Sequence, residues 1–481
     1  MLTTGLAAID STVVATALPS IVRDLGGFSL FAWVFSVYVL FTAVTTPVYS
    51  KLSDLFGRRP MLVIGTILFL TGSVLCGISW SMTTLIIARG IQGLGAGALQ
   101  TISQTVIGDL YTVAERGRVS GYMSSVWGIS SLVGPALGGL LSEYVSWRWI
   151  FYINVPIGLG ALAMVLRHFH EQVHRSSHRI DVEGGVLLVG WTGLLVLGLL
   201  SGGVQWSWLS VPSVAVLGGA VVCLVGFVWF ERRAAEPMLP AWIFRHRALA
   251  GATASSLCVG LATIGLSTFL PTYAQSVLGA SAVRAGFVVA VMSIGWPIAA
   301  TLANRLYLRI GFRNASLFGV LLMAIAAYLF ITLTAASSLW HLAFASLMAG
   351  FGFGLITNPM MVGIQSVVGW RRRGVVTGAS MFARAIGSAL GAALFGLVAN
   401  TVLVHWFATA PASVRAQLPT SLDDASKLLA GGGHASAPVL EFVRTAMFEA
   451  VHSVLWLFAA ITVLALVTLL WTPAQFEEVP D

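Results

Sequence analysis

Charge is what this chain has least of. Asp, Glu, Lys and Arg make up 9% of its 481 residues, where a soluble domain carries about 25%, so a solvated globular surface is excluded. Acid is scarcer than base: from Met238 to Leu422 there is no Asp or Glu at all. Paired-carboxylate catalysis therefore has no residues to use across most of the second half. Cysteine is confined to Cys76, Cys223 and Cys258, each inside an apolar run, which leaves neither a disulfide framework nor a thiolate metal set. A G-x-x-x-x-G-K-[ST] segment is missing, so ATP is not the energy source. No His cluster and no Ser/His/Asp set lies within the apolar runs, which makes a membrane enzyme the poorest reading of the chain.

What is present is apolar. Hydrophobic residues make up 57% of the sequence and the mean hydropathy is +0.89, the composition of an all-α polytopic membrane protein. The 51 glycines suit helices that approach closely. Runs long enough to cross as helices fall near 1–22, 28–50, 61–79, 84–107, 118–142, 147–167, 184–203, 211–230, 249–275, 283–303, 314–334, 340–367, 374–403 and 448–471, which predicts fourteen spans. With that threading, eighteen of the 26 basic residues lie on one side, six on the other, and Arg89 and Arg384 inside spans. The positive-inside rule then puts both termini in the cytoplasm, and the net charge of +8 reports topology rather than a nucleic-acid partner. Trp80, Trp147, Trp340, Trp370 and Trp471 stand near span ends, as interfacial aromatics do. Met1 starts at the membrane with no basic lead-in, so a trimmed or upstream start is expected, and the segment has no signal-peptide pattern.

Asp10 is the exception to the charge pattern. It lies well inside the first span, roughly 13 Å from the chain start and roughly 20 Å from Arg23 at 1.5 Å per residue. A carboxylate at that depth costs a few kcal/mol and marks a functional site by default; the plain alternative is a protonated Asp bonded to a neighbouring helix. Every other acidic residue of the first half sits at or near a span end.

The chain also repeats itself. Gly93, Gly95, Gly97, Gly117, Gly121, Gly134 and Gly139 recur as Gly350, Gly352, Gly354, Gly374, Gly378, Gly391 and Gly396, always at an offset of 257. The first six spans thus correspond to the last six, giving an N-terminal bundle at 1–167, a linker with two additional helices at 168–248, a C-terminal bundle at 249–471 and a tail at 472–481. Two facing halves are a transporter layout, with the substrate site between them near mid-membrane. The loop 168–183 holds His168, His170, His174 and His178; without cysteine or carboxylate at ligand spacing it reads as a polar linker and no metal site. The external stretch 405–445 is either a lid or a tolerated insertion.

Four segments, IDSTVVATALPSIV, KLSDLFGRRP (51–60), ARGIQGLGAG (88–97) and GISSLVGPALGGLL (128–141), resemble signatures of the major facilitator superfamily. With fourteen spans, SWRWIFYINVPIG (146–158) and RAIGSALG (384–391), the chain resembles the EmrB/QacA branch of drug:proton antiporters. The resemblance implies the major facilitator fold, two six-helix bundles plus two extra helices. It implies a multidrug efflux antiporter in a bacterial inner membrane, driven by the proton gradient without a cofactor. It also implies that Arg89 modulates the protonation of Asp10, since a nearby cation favours a carboxylate's charged form. Crude depths leave several ångströms between the two, and a snorkelling Arg89 is the alternative. The GPxxGG segment marks exporters by the same resemblance.

Read for their physics, the segments suggest further roles. Asp54, Arg58 and Arg59 at a cytoplasmic elbow, with Asp109 on the same side, form a candidate latch between the halves; topology alone explains the arginines but not Asp54. Ser50 stands where the resemblance implies the family's leading glycine, and Leu308 stands where the second copy would repeat Asp54, so the latch is one-sided. Gly134, Pro135, Gly138 and Gly139 are expected to interrupt span five and seal it against the other half, or only to pack it. The expected cavity residues are Trp33, Tyr38, Met123, Trp127, Asn358, Met361, Gln365 and Arg384, a wall of Met and aromatics suited to loosely specified ligands. The partners so implied are the lipid bilayer, protons and small amphipathic substrates, handled by a monomer. One coupling carboxylate points to neutral and monocationic lipophilic compounds over rigid dications, unless His341 or His452 adds a second proton site. Export of an envelope lipid or hydrophobic metabolite by the same machinery is the alternative.

Overall fold

Backbone in hydrocarbon has no water to bond, so a spanning segment must satisfy its own amides and carbonyls. The computed structural model describes residues 1–26, 31–171, 182–202, 206–234, 237–411, 414, 418–419, 425, 428–429 and 436–479. Among these, every long element is a helix. In chain order they are α1 Leu2–Leu25, α2 Phe31–Phe56, α3 Arg58–Gly77, α4 Met82–Leu110, α5 Val113–Tyr144, α6 Trp149–Tyr152, α7 Asn154–His168, α8 Val182–Ser201, α9 Val211–Glu231, α10 Ala241–Arg245, α11 Arg247–Ser276, α12 Ala282–Ile310, α13 Phe312–Ile331, α14 Leu339–Ser366, α15 Trp370–Ala408 and α16 Ala437–Trp471.

Among the described residues, eleven helices are long and apolar enough to cross a bilayer. The predicted spans 1–22, 84–107 and 184–203 are covered by α1, α4 and α8, which fall short of that measure. For α4 the reason is visible: Arg89, Gln92, Gln100 and Gln104 lower its hydropathy because it runs through the interior of its bundle, with Gln92 and Arg89 fully buried. His174, His178 and most of 412–435 lie outside the described residues. The expected interruption of span five is corrected: α5 continues as one helix from Val113 to Tyr144.

The repeated glycines explain how the helices fit. Added side chains at Gly93 and Gly97 would meet α2 at Tyr38 and Thr45, and at Gly350 and Gly354 they would meet α12 at Met292 and Trp296. Gly95 lies against Phe69 of α3, and Gly352 against Met323 of α13. Gly134 meets Thr12 of α1, and Gly391 meets Leu261 of α11. Each half is thus built by the same helix approaches. Even the turns repeat: Gly57 between α2 and α3 has φ 97°, and Gly311 between α12 and α13 has φ 83°, a left-handed conformation that other residues enter only with strain.

The halves meet along two seams related by the same offset. Gly374 and Gly378 of α15 receive Ser50 and Asp54 of α2, while Gly117 and Gly121 of α5 receive Asn304 and Thr301 of α12. The glycine missing at position 50 is therefore supplied from across the seam, which resolves the concern over Ser50: its hydroxyl donates back to Thr46 O at 2.7 Å and fits beside Gly378. Helices α8 and α9 pack together, and α8 lies against α2 and α15. Its Trp191 meets Phe382 edge-on at 5.8 Å and stacks on Phe227 at 6.4 Å.

This fit is testable where backbone meets backbone. Gly350→Ala should destabilise the purified protein by about 1–3 kcal/mol, as overpacking does, and lower its thermal unfolding midpoint in detergent. Gly396→Ala, whose added carbon meets nothing within 4 Å, should leave the midpoint unchanged or raise it, because Ala favours helix by up to about 1 kcal/mol. Equal shifts in the two variants would dismiss close approach as the role of the repeat.

Candidate functional site

Burying a carboxylate in lipid-facing architecture demands partners, and two neighbouring helices provide them. Asp10 of α1 accepts from Arg89 Nη1 of α4 at 2.5 Å, from Gln92 Nε2 at 2.8 Å and from Asn154 Nδ2 of α7 at 3.0 Å. Ser73 of α3 accepts from both amides, at 3.1 Å from Gln92 and 2.9 Å from Asn154, and donates to Phe151 O at 3.0 Å. Arg89 also donates to Gln92 Oε1 at 2.7 Å and to Val34 O at 3.2 Å, with its guanidinium 4.1 Å from the centre of the Tyr38 ring. Asp10, Ser73, Arg89, Gln92 and Asn154 are all 0% exposed. The pair is thus dry, and the snorkelling alternative for Arg89 is excluded.

Such a pair has two states of very different energy. Removing one partner of a buried ion pair typically costs about 3–5 kcal/mol, because the other charge is left uncompensated. A proton on Asp10 does this to Arg89. The network holds spare groups for a second arrangement: Arg89 Nη2, Asn154 Oδ1 and the Tyr38 hydroxyl are buried without a hydrogen-bond partner.

A second constellation closes the α2–α3 elbow end. Asp54 accepts from Gly374 N at 3.0 Å and Val375 N at 2.8 Å, and pairs with Arg58 at 2.6 Å. Arg58 reaches Asp109 at 3.0 Å and Trp370 O at 2.8 Å, with its guanidinium 4.1 Å from the centre of the Trp370 ring. Trp370 O and Gly374 N are an i, i+4 couple in the first turn of α15, so a carboxylate and a guanidinium of one half complete a helix start of the other. A carboxylate at a helix N-terminus is favoured by the helix dipole. Arg373 returns the contact, to Asp109 at 3.2 Å and Gly108 O at 2.9 Å. At the related seam, Asn304 donates to Ala114 O at 2.7 Å and Tyr307 to Val113 O at 2.9 Å. The second copy keeps the geometry with neutral donors.

Several predicted residues stand elsewhere than expected. Arg59 stays within its own half: its amide donates to Glu171 at 3.0 Å and its guanidinium to Leu166 O at 2.7 Å. Tyr38 lies inside the N-terminal bundle under Arg89 and is 4% exposed. Gln365 belongs to the closed end, donating to Gln104 O at 3.2 Å and Thr377 Oγ1 at 3.0 Å. Asn358 turns its amide to Ala300 O of α12, at 2.5 Å. Met123 and Met361 are buried; Trp33 and Arg384 are half-buried; Trp127 is 39% exposed. Gly134 contacts α1 of its own half, Gly138 is buried, and Gly139 meets nothing within 4 Å, while the Pro135 side chain lies outside the described residues. Contact of α5 with the other half comes from Gly117, Gly121 and Gly128 instead: position 134 falls on another face of the helix, whereas Gly139 shares their face but has no neighbour within 4 Å. His341 and His452 each bond a carbonyl near the end of α13, Leu329 O at 3.1 Å and Ile331 O at 2.8 Å.

Sequence reasoning passed over Ser73, Gln92, Asn154, Trp370 and Arg373. The available signal was an amide three residues after Arg89, and another inside the apolar run INVPIG.

Neither constellation is equipped for covalent chemistry. One ties four helices of a bundle together and the other joins two bundles across a seam, the architecture of a membrane transporter. The sequence pattern of the Major Facilitator Superfamily matches residues 1–392. Multidrug resistance protein 3 of Bacillus subtilis (strain 168) is 34% identical over 472 residues, 97% of this chain and 92% of that protein. Multidrug transporter protein MdtP of the same organism is 32% identical over 488 residues, covering 95% and 90%. The chain belongs to the Major Facilitator Superfamily. Its fold is similar to that of the human organic anion transporter MFSD10, with a TM-score of 0.64 at 14% identity over 98% of this chain and 97% of that one.

The latch can be weakened on its own. Hydrogen bonds to charged groups contribute about 1.5–3 kcal/mol each, and a factor of ten corresponds to about 1.4 kcal/mol. Asp54→Ala should therefore speed labelling of Thr377→Cys, at a position now 0% exposed, by at least about tenfold with a water-soluble maleimide. An unchanged rate would show that other contacts hold this end shut.

Proposed function

We propose that this protein is a proton-driven efflux antiporter for lipophilic compounds. The reading has fourteen spans in two six-helix bundles plus two, both termini in the cytoplasm of a bacterial inner membrane, and a monomer working without a resident cofactor. The observation that carries it is the dry Asp10–Arg89 pair, joined by Gln92 and Asn154. With the basic elbow inside, the latch shuts the cytoplasmic end, and the arrangement corresponds to the outward-open state. A proton entering from outside neutralises Asp10 and frees Arg89. The N-terminal bundle repacks, the latch parts, and the seam opens inward. Substrate enters there, the proton leaves to the cytoplasm, and the ion pair re-forms as the molecule returns.

A single carboxylate sets the energetics. A pH unit supplies about 1.4 kcal/mol per proton, and exchange for a monocation moves no net charge. A neutral substrate adds the membrane potential, about 2.3 kcal/mol per 100 mV. A dication runs against it.

Asp10→Asn keeps the shape of the side chain and removes its charge. In proteoliposomes with an imposed pH gradient, export of a lipophilic dye should fall to the level of empty vesicles, while the variant stays folded and still binds the dye. Export at the wild-type rate would remove Asp10 from the coupling.

A further inference from the structure

Arg384 lies 14 residues into α15, roughly 21 Å along its axis from Trp370, which places it deep in the membrane. Among the described residues it has no hydrogen bond and no ion pair. A cation at that depth calls for a partner, and among the described residues the carboxylates of the packed helices around it are engaged or distant. Helices α11 to α15 contain no Asp or Glu. Asp10 is committed to Arg89, and Asp54 and Asp109 to the latch. Glu449 of α16 sits nearer the outer end: Leu403 and Val443 share one apolar cluster, and counting from that contact separates Glu449 from Arg384 by about 20 Å along the axes.

The helix faces show where Arg384 is. Gly387 and Gly391 of α15 pack on α11, and Gly374 and Gly378 pack on α2. At 100° per residue Arg384 falls on the arc between these two contacts, and Phe382, which meets α8, falls on the far side. That arc looks into the seam. The repeat places Trp127 of α5 at the equivalent position, at the offset of 257. There too the position lies between the face on α1, marked by Ser130 and Gly134, and the face on α12, marked by Gly121 and Gly128. Trp127 is 39% exposed although the lipid-facing stripe of α5, Tyr122 and Ile129, is on the opposite side.

We infer that Arg384 and Trp127 form a two-part recognition site for an amphipathic monoanion, in which the guanidinium binds a carboxylate or sulfonate and the indole carries the apolar or aromatic body. A planar guanidinium pairs bidentately with such oxyanions, and an exposed indole supplies a large apolar face. This rests on the efflux reading above and revises its substrate class: a cation entering the seam meets a fixed positive charge with no counter-ion. The energetics agree, because exporting an anion as a proton enters moves charge favourably on both counts in an interior-negative cell.

The test uses the full-length protein in detergent and three ligands: dansyl-aminoundecanoate, its methyl ester, and the analogue ending in trimethylammonium. The wild type should bind the acid at least tenfold more tightly than the ester, and the ammonium more weakly than the ester. Arg384→Gln should bring the acid down to the ester and leave the ester unchanged, which also reports a folded site. Arg384→Lys should keep a preference for the acid. Trp127→Leu should weaken acid and ester alike, with their ratio preserved. An acid-to-ester ratio that survives Arg384→Gln, or a wild type that prefers the ammonium, overturns the assignment. Export of the ester by Arg384→Gln in proteoliposomes reads the efflux function separately: its loss in wild type as well would count against efflux, while the binding ratio alone decides the anion site.

Discussion

Everything in this molecule turns on one ion pair kept away from water. Asp10 and Arg89 are each 0% exposed and 2.5 Å apart. In a low-dielectric interior the charged pair and the protonated, broken pair differ by several kcal/mol. The supporting shell raises that difference. Gln92 and Asn154 each give Asp10 a hydrogen bond and each give Ser73 another, so a change at Asp10 is felt on α1, α3, α4 and α7 together. Four helices tied in this way are suited to respond together, which the proposed alternating access requires.

The same logic runs in reverse at the elbow end. There the ion pair of Asp54 and Arg58 reaches out of its bundle to the first turn of α15, where it is sensitive to how the bundles sit. Glycine makes both constellations reachable. The α2 side chains approach α15 closely only because Gly374 and Gly378 leave room, and α4 lies deep between its neighbours only because Gly93, Gly95 and Gly97 do. The second half repeats the approaches but replaces the charged contact with Asn304 and Tyr307, so the ion pairs described between the halves lie at one of the two seams.

The sequence disclosed this unevenly. Asp10 was conspicuous because a lone acid in an apolar run is expensive, and the repeat was conspicuous because glycines at one offset mark matching helix approaches. The neutral members of the network were not, since an amide or a serine in an apolar run resembles a tolerated polar residue until its partner is seen. Helical spacing shows which residues share a face but not which neighbour that face meets. For that reason Tyr38 and Gln365 were placed in the cavity, whereas one lies beneath Arg89 and the other in the closed end. Ser50 misled for a related reason: the small residue its contact needs is Gly378, on the other half of the chain.

An account with one coupling carboxylate stands or falls on stoichiometry. The two histidines that could have supplied a second site are bonded to carbonyls near the end of α13, away from the Asp10 network. The decisive measurement is the ratio of protons entering to molecules exported, taken in proteoliposomes from the membrane potential at which net flux of a neutral substrate reverses against an imposed substrate gradient at a fixed pH gradient. The account predicts one proton per molecule; a ratio of two or more would contradict it.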